Sequence, residues 1–433
     1  MDSRTKTTIN RRLFTSGVIG LAATSSAPAA SQPANLLPAR SDISFSPRMG
    51  ADNRHGDPFE IAKTFHANRI DWTYGDAAFI AECVARGFAV GAALSPTMSR
   101  PDGDISDRMR DKSGQPVTAP WMKGWQGGRA YWGCFNNPDF RSLILGRARA
   151  AVAAGATRLQ FDDAAGNYGA VAWGACWCAA CRAKAAAQGV DLETGMKRFQ
   201  LASVRDFFQG LRDGLPANIL LSSNNGAIDW NPPYDLFDFG VAEMDEAQVN
   251  PQYLFNKFAA IESAGKFQFV TLRSESVDLN RRAIAMIYAL GGGVIAPWDV
   301  FLRPNGAGSD RFYGAPEDYA DQLGVIRQNA TWFDDFTLEA ALGTGVSRRP
   351  DLLQASGPVD LAVLRRAPDG RLVLHVVNAS KAAKVEISVK TVATQAQFAA
   401  TGAPIPYNGR SADGWHTLSI PPDRIWNMAL VKQ

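Results

Sequence analysis

The chain has 433 residues, 46% apolar and 20% charged, an ordinary globular composition that excludes a disordered or coiled-coil protein. Its 45 Lys and Arg outnumber 42 Asp and Glu by three, and the whole excess lies in residues 1–30, where Arg4, Lys6, Arg11 and Arg12 face Asp2. The rest is neutral, which argues against a nucleic-acid partner; no run of 18 apolar residues predicts a membrane span, and four His are too few for a His-rich catalytic metal site.

Arg11-Arg12-Leu13-Phe14 follows a polar, basic start. A mildly apolar stretch to Ala23, interrupted by Gly17 and Gly20, leads to Ala27-Pro28-Ala29, an A-x-A-like cleavage site. These parts match a secretory signal peptide over residues 1–30. The paired arginines and weakly apolar core resemble a twin-arginine (Tat) signal, with Asn10 where such signals carry Ser or Thr. The resemblance implies export of an already folded protein to the periplasm or beyond. Residues 31–41 read as a flexible entry.

From residue 42 to 339, short apolar runs alternate with helical patterns. Expected strands are Ile43–Phe45, Arg69–Trp72, Phe88–Leu94, Arg158–Phe161, Ile219–Ser222, Phe237–Ala242, Phe267–Leu272 and Gly293–Pro297. Expected helices include Pro58–His66, Ala77–Arg86, Phe140–Ala154, Leu192–Gly214, Pro251–Ala264 and Leu279–Leu290. Eight strands alternating with helices predict an α/β fold, a (β/α)8 TIM barrel, with a doubly wound sheet as the alternative. No Gly-rich phosphate fingerprint follows the first strand. Beyond residue 340 the pattern turns to short alternating runs with an Asp369-Gly370 turn. Residues 340–433 therefore read as a small antiparallel, sandwich-like β-domain.

Three of five cysteines form Cys176-x-Cys178-x-x-Cys181, and Cys134 lies in a loop before the preceding helix. Four thiolates suit a closed tetrahedral structural zinc, which leaves no coordination position for catalysis. Disulfides are the alternative in an exported protein. Cys83 lies in a helical pattern and reads as a buried thiol.

Cys134 with Cys176, Cys178 and Cys181, placed in the third and fourth βα units, resembles the zinc site of family 42 β-galactosidases. Those are (β/α)8 retaining glycoside hydrolases. There a strand-four Asn-Glu pair supplies the acid/base; this chain has Gln160-Phe161-Asp162-Asp163 and no Glu. A strand-four Asp instead resembles α-galactosidase and galactosaminidase barrels. The resemblance implies a barrel glycosidase relative and leaves the sugar open.

Barrel active sites lie at the C-terminal ends of the strands, and a glycosidase needs two carboxyl groups there. Alternation puts Leu159 and Phe161 on one face and Gln160 and Asp162 on the other, so Asp162 is the first candidate. Glu243 follows an apolar strand six and is its expected partner. Glu275 is the replacement for Glu243, and Asp163 reads as a loop or cap residue. Asp71, Trp72, Tyr74, Arg48, Asn224, Asn225, Trp298 and Asp299 are candidate substrate-binding residues, since sugars need aromatic faces and planar polar partners. The expectation is a secreted glycoside hydrolase acting on a poly- or oligosaccharide. The alternatives are a non-catalytic carbohydrate-binding barrel and a transglycosidase on the same scaffold.

Overall fold

The computed structural model describes residues 37–47, 57–73, 75–97, 107–128, 130–297, 313–379, 384–392, 395–410 and 413–432. Eight parallel strands close into a barrel: β1 (Ser44–Ser46), β2 (Arg69–Asp71), β3 (Ala89–Leu94), β4 (Arg158–Phe161), β5 (Leu220–Asn224), β6 (Phe239–Asp245), β7 (Phe267–Arg273) and β8 (Gly293–Pro297). Helices α1 (Pro58–Thr64), α2 (Ala77–Ala85), α3 (Pro138–Ala153), α4 (Gly166–Ala170), α5 (Ala179–Ala187), α6 (Leu192–Asp213), α7 (Pro251–Ser263), α8 (Val277–Ala289) and α9 (Glu317–Gln328) lie between and after them. Six helices start at a residue whose side chain accepts a backbone N–H of the first turn: Asp57, Asp76, Asn137, Asp191, Asn250 and Ser276. The barrel expectation therefore holds strand by strand.

Side-chain alternation sorts the strands into two faces. Ile70, Val90, Leu159, Phe161 and Leu221 pack outward against helices. Phe239, Val241, Phe267, Phe269, Ile295, Leu220, Ala93 and Trp72 fill the interior. Arg69 is fully buried within that interior, 4.9 Å from the Phe269 ring centre. Its guanidinium holds Asp71 through Nε and Nη2 at 3.1 Å each, and Asp42 through Nη1 at 3.1 Å. Aromatic packing and paired charge thus occupy the middle of the barrel.

At the end of the expected entry 31–41, Arg40 and Ser41 are tied to the barrel. Arg40 binds the Gly291 carbonyl and Glu262, and Ser41 binds Asp334 through both its backbone N–H and its hydroxyl.

Ten further strands follow: β9 (Thr337–Gly343), β10 (Val346–Arg348), β11 (Leu353–Ser356), β12 (Val359–Arg366), β13 (Leu372–Asn378), β14 (Val385–Lys390), β15 (Gln395–Phe398), β16 (Tyr407–Arg410), β17 (Trp415–Ile420) and β18 (Trp426–Lys432). They form a six-stranded sheet, ordered β10-β9-β12-β13-β18-β15, and a four-stranded sheet, ordered β11-β14-β17-β16. Leu374 and Val376 of β13 share a core with Ile387 and Leu418 of the smaller sheet. Val373 and Val377 on its other face join Ile284 and Ile287 of α8. All seven residues of β13 are buried, which explains its nearly continuous apolar run. Arg365 and Arg40 both bind Glu262 of α7, and Arg282 of α8 pairs with Asp360 of β12.

Candidate active site

The C-terminal end of the barrel gathers the polar residues that the aromatic interior leaves out. The N–H of Asp162 still pairs with the Leu94 carbonyl at 2.9 Å, so strand geometry runs one residue past β4. Leu159 and Phe161 face outward, which leaves Asp162 on the inner face as alternation predicts. Asn224, at the end of β5, donates from Nδ2 to Asp162 Oδ1 at 3.2 Å. On β6, Phe239 and Val241 face inward while Ala242 and Met244 face outward. Glu243 therefore continues the inner face, half-buried and in register with Thr271 of β7.

Asp163 turns the chain with a φ of +57°, in the left-handed region that Asp tolerates better than most residues. Burial first, then the charge of Asp162, pushes its carboxyl up to about 7, against the opposing pull of a hydrogen bond from Trp121. The Tyr234 hydroxyl is pushed up by burial and by the charges of Asp229 and Asp163, which places it in the same neighbourhood. Neither Trp121 nor Tyr234 was singled out as a partner of Asp163 by sequence reasoning, because both come from loops remote in sequence.

The other expected residues divide clearly. Asp71 does not line the open end: it is 4% exposed, bound by Arg69 and by the Ser44 hydroxyl at 2.6 Å. Burial alone would raise its carboxyl, yet Arg69 holds it below the ordinary range. Trp72 is 2% exposed and packs in the barrel interior, so its ring offers no open platform. Asn225 points away from the interior into a reciprocal amide pair with Gln268, 3.0 Å in each direction, where Trp230 Nε1 also donates to Gln268. Glu275 lies past the end of β7 and is exposed, because Ser274 is buried and Ser276 already caps α8. It does not continue the inner face of β7. Arg48, Tyr74, Trp298 and Asp299 lie outside the described residues.

The four cysteines meet in one buried cluster formed by two long excursions. Residues 95–137, between β3 and α3, bring Cys134; residues 162–191, between β4 and α6, bring Cys176, Cys178 and Cys181. Cys134 Sγ lies 3.4 Å from Cys178, 3.5 Å from Cys181 and 3.7 Å from Cys176. A tetrahedron of thiolates about 2.3 Å from zinc has edges of about 3.8 Å, whereas a disulfide needs about 2.05 Å. The spacing fits a metal and no pair is bonded, so the disulfide alternative is set aside. The surroundings also suit thiolates. Asn136 donates to Cys134 and Cys181 at 3.4 and 3.2 Å, and buried Gln200 donates to Cys181 at 3.5 Å. Among the described residues this is the one group of its kind that could hold a metal ion. Cys83 lies apart, buried in α2, its thiol pushed up to about 12 by burial.

The same two excursions share aromatics. Trp173 packs edge-on against Trp132 at 4.7 Å and Trp121 at 5.1 Å, and the Trp177 N–H pairs with the Arg110 carbonyl at 2.8 Å. The cysteine cluster thus ties together the loop carrying Asp163 and the loop carrying Trp121. Among the described residues no helix is long and apolar enough to cross a membrane.

No protein-family model matches this chain, and no curated protein sequence does. Solved structures share its fold. A debranching enzyme from Nostoc punctiforme is 10% identical with a TM-score of 0.56, over 91% of this chain and 98% of that one. A maltogenic α-amylase from Thermotoga neapolitana is 12% identical at 0.55, over 91% and 99%. A GH27 β-L-arabinopyranosidase from Geobacillus stearothermophilus, solved with arabinose, is 10% identical at 0.54, over 90% and 97%. At these identities the likeness is one of fold.

Proposed function

We propose that this protein is a glycoside hydrolase that cleaves O-glycosyl bonds of an oligo- or polysaccharide with Asp162 and Glu243. The observation that carries this reading is a pair of inward-facing carboxylates at the C-terminal ends of β4 and β6 in a closed barrel, the end where barrel enzymes keep their chemistry. The fold relatives named above, which act on sugars, support it.

Asp162 is the nucleophile or base. Asn224 donates to it, and burial lets its neighbour Asp163 keep a proton up to about 7. Its role is to meet the sugar carbon from which the leaving group departs, directly or through an activated water. Glu243, half-buried above Phe239 and Val241, gives its proton to the departing glycosidic oxygen. Thus the C–O bond breaks with its electron pair on an oxygen that has just gained a proton, and no alkoxide is released.

Cys134, Cys176, Cys178 and Cys181 would hold a structural zinc. Four thiolates fill its coordination shell, so the ion would fix the two loops and take no part in the reaction. Export through the Tat-like leader to the periplasm or beyond belongs to the same reading; fractionation of cells expressing the full chain tests it. Turnover of a glycan panel, lost in Asp162→Asn and in Glu243→Gln, tests the hydrolase.

A further inference from the structure

Among the described residues four large apolar side chains are exposed, and two are tryptophans of one loop: Trp121 at 51% and Trp125 at 44%. An exposed tryptophan is ordinarily free to move. Trp121 is held instead, its ring edge-on to Trp132 at 6.0 Å and to Trp173 at 5.1 Å. Both supports are themselves fixed. Trp132 is 2% exposed and its Nε1 donates to Met122 Sδ at 3.0 Å. Cys134 follows Trp132 by two residues, and Cys176 follows Trp173 by three. Trp121 also lies near enough to Asp163, the neighbour of Asp162, to oppose the upward push on its carboxyl. A rigid, half-exposed aromatic face anchored beside the reacting carboxylates matches the apolar face of a pyranose ring. It would lose little side-chain freedom on binding.

We propose that Trp121 seats a second sugar unit, the one adjoining the residue whose bond is cleaved, and so makes this a site for oligosaccharides of two or more units. The proposal rests on the glycosidase reading and adds to it the length of substrate and the residue that selects it. The indole does two things at once. Its ring carries the sugar, and its packing on Trp173, ten residues beyond Asp163, sets that seat beside the acidic pair.

The test measures binding by calorimetry in the Asp162→Asn background, so that ligand survives. Glucose, maltose, maltotriose and maltotetraose are titrated beside the matching β-1,4-linked gluco- and galacto-oligosaccharides. Affinity should rise from one unit to two or three. Trp121→Ala should remove about tenfold of that rise, and Trp121→Phe, which keeps a ring, should retain most of it. Independently of any sugar, wild-type tryptophan fluorescence should titrate near pH 7, and that component should vanish in Trp121→Phe and in Asp163→Asn. A chain-length gain unchanged in Trp121→Ala overturns the inference while leaving the carboxylate reading intact. If Asp162→Asn still turns substrate over but Trp121→Ala loses the gain, the carboxylate assignment fails and Trp121 stands. Failure of every sugar to bind overturns both.

Discussion

Asn224 Nδ2 donates to Asp162 Oδ1 across 3.2 Å, joining the ends of two adjacent strands of the barrel. The contact holds the carboxylate in one orientation and stabilises its charge. A hydrogen bond to a charged group contributes about 1.5–3 kcal/mol. Asn224→Ala should therefore lower kcat/KM by roughly 10- to 100-fold with little change in melting temperature. Asn224→Asp should cost more, because it sets a second negative charge against Asp162. Steady-state kinetics on the two variants check the order.

Asp163 gives the enzyme an alkaline limb. Its carboxyl keeps a proton up to about pH 7, so activity should decline above that pH as a second charge appears beside Asp162. Asp163→Asn should flatten this limb. The stability effect has a definite sign. The folded value lies above the unfolded one, near 3.9, so its stabilising contribution is complete below about pH 4 and is lost as pH rises through 7. At pH 8 the charged group opposes folding by up to about 4 kcal/mol. Asp163→Asn should thus melt higher than wild type at pH 8 and close to it at pH 4, read by calorimetry.

Much of the barrel was legible because its strands obey one rule. Leu159 and Phe161 against Gln160 and Asp162 is plain alternation, and the structure places Asp162 where it points. The same rule puts Asp71 on the inner face, correctly, but does not say that Arg69, two residues earlier on that face, claims it. Asn225 was out of reach for another reason: its partner Gln268 is 43 residues away. Alternation does not reach Glu275, because β7 ends at Arg273 and Ser276 already caps α8. Strands β10, β11 and β15 of the β-domain leave little trace in the sequence. They are short, or stand at or near sheet edges, with too few buried positions to show a period.

Metal content tests the cysteine cluster. The purified protein should carry about one zinc per chain, and cobalt substitution should give the visible spectrum of a tetrahedral thiolate site. Cys178→Ser should lose the ion and lower the melting temperature. Because the cluster ties the Asp163 loop to the Trp121 loop, the folded remnant should also lose affinity for oligosaccharides more than for monosaccharides.

His375 provides an acid-sensitive point between barrel and β-domain. It is fully buried, stacked on Trp426 at 5.7 Å, with Phe333 at 5.5 Å. Burial, then the nearby Arg365, hold its imidazole down to about 3. An unfolded His protonates near 6.5, so this group's contribution is complete above about pH 6.5 and is lost as pH falls toward 3. His375→Phe should keep the stacking and weaken the fall of melting temperature between pH 6.5 and 4, measured by differential scanning calorimetry.

Asp162 and Glu243 are proposed to act together on one glycosidic bond. Mature wild-type protein, Asp162→Asn and Glu243→Gln are incubated with bacterial and plant glycans, and products are read by mass spectrometry. Wild type should cleave, and both variants should lose cleavage while each still binds the glycan. Equal cleavage by wild type and either variant, or binding without cleavage by wild type across the panel, would contradict that proposal.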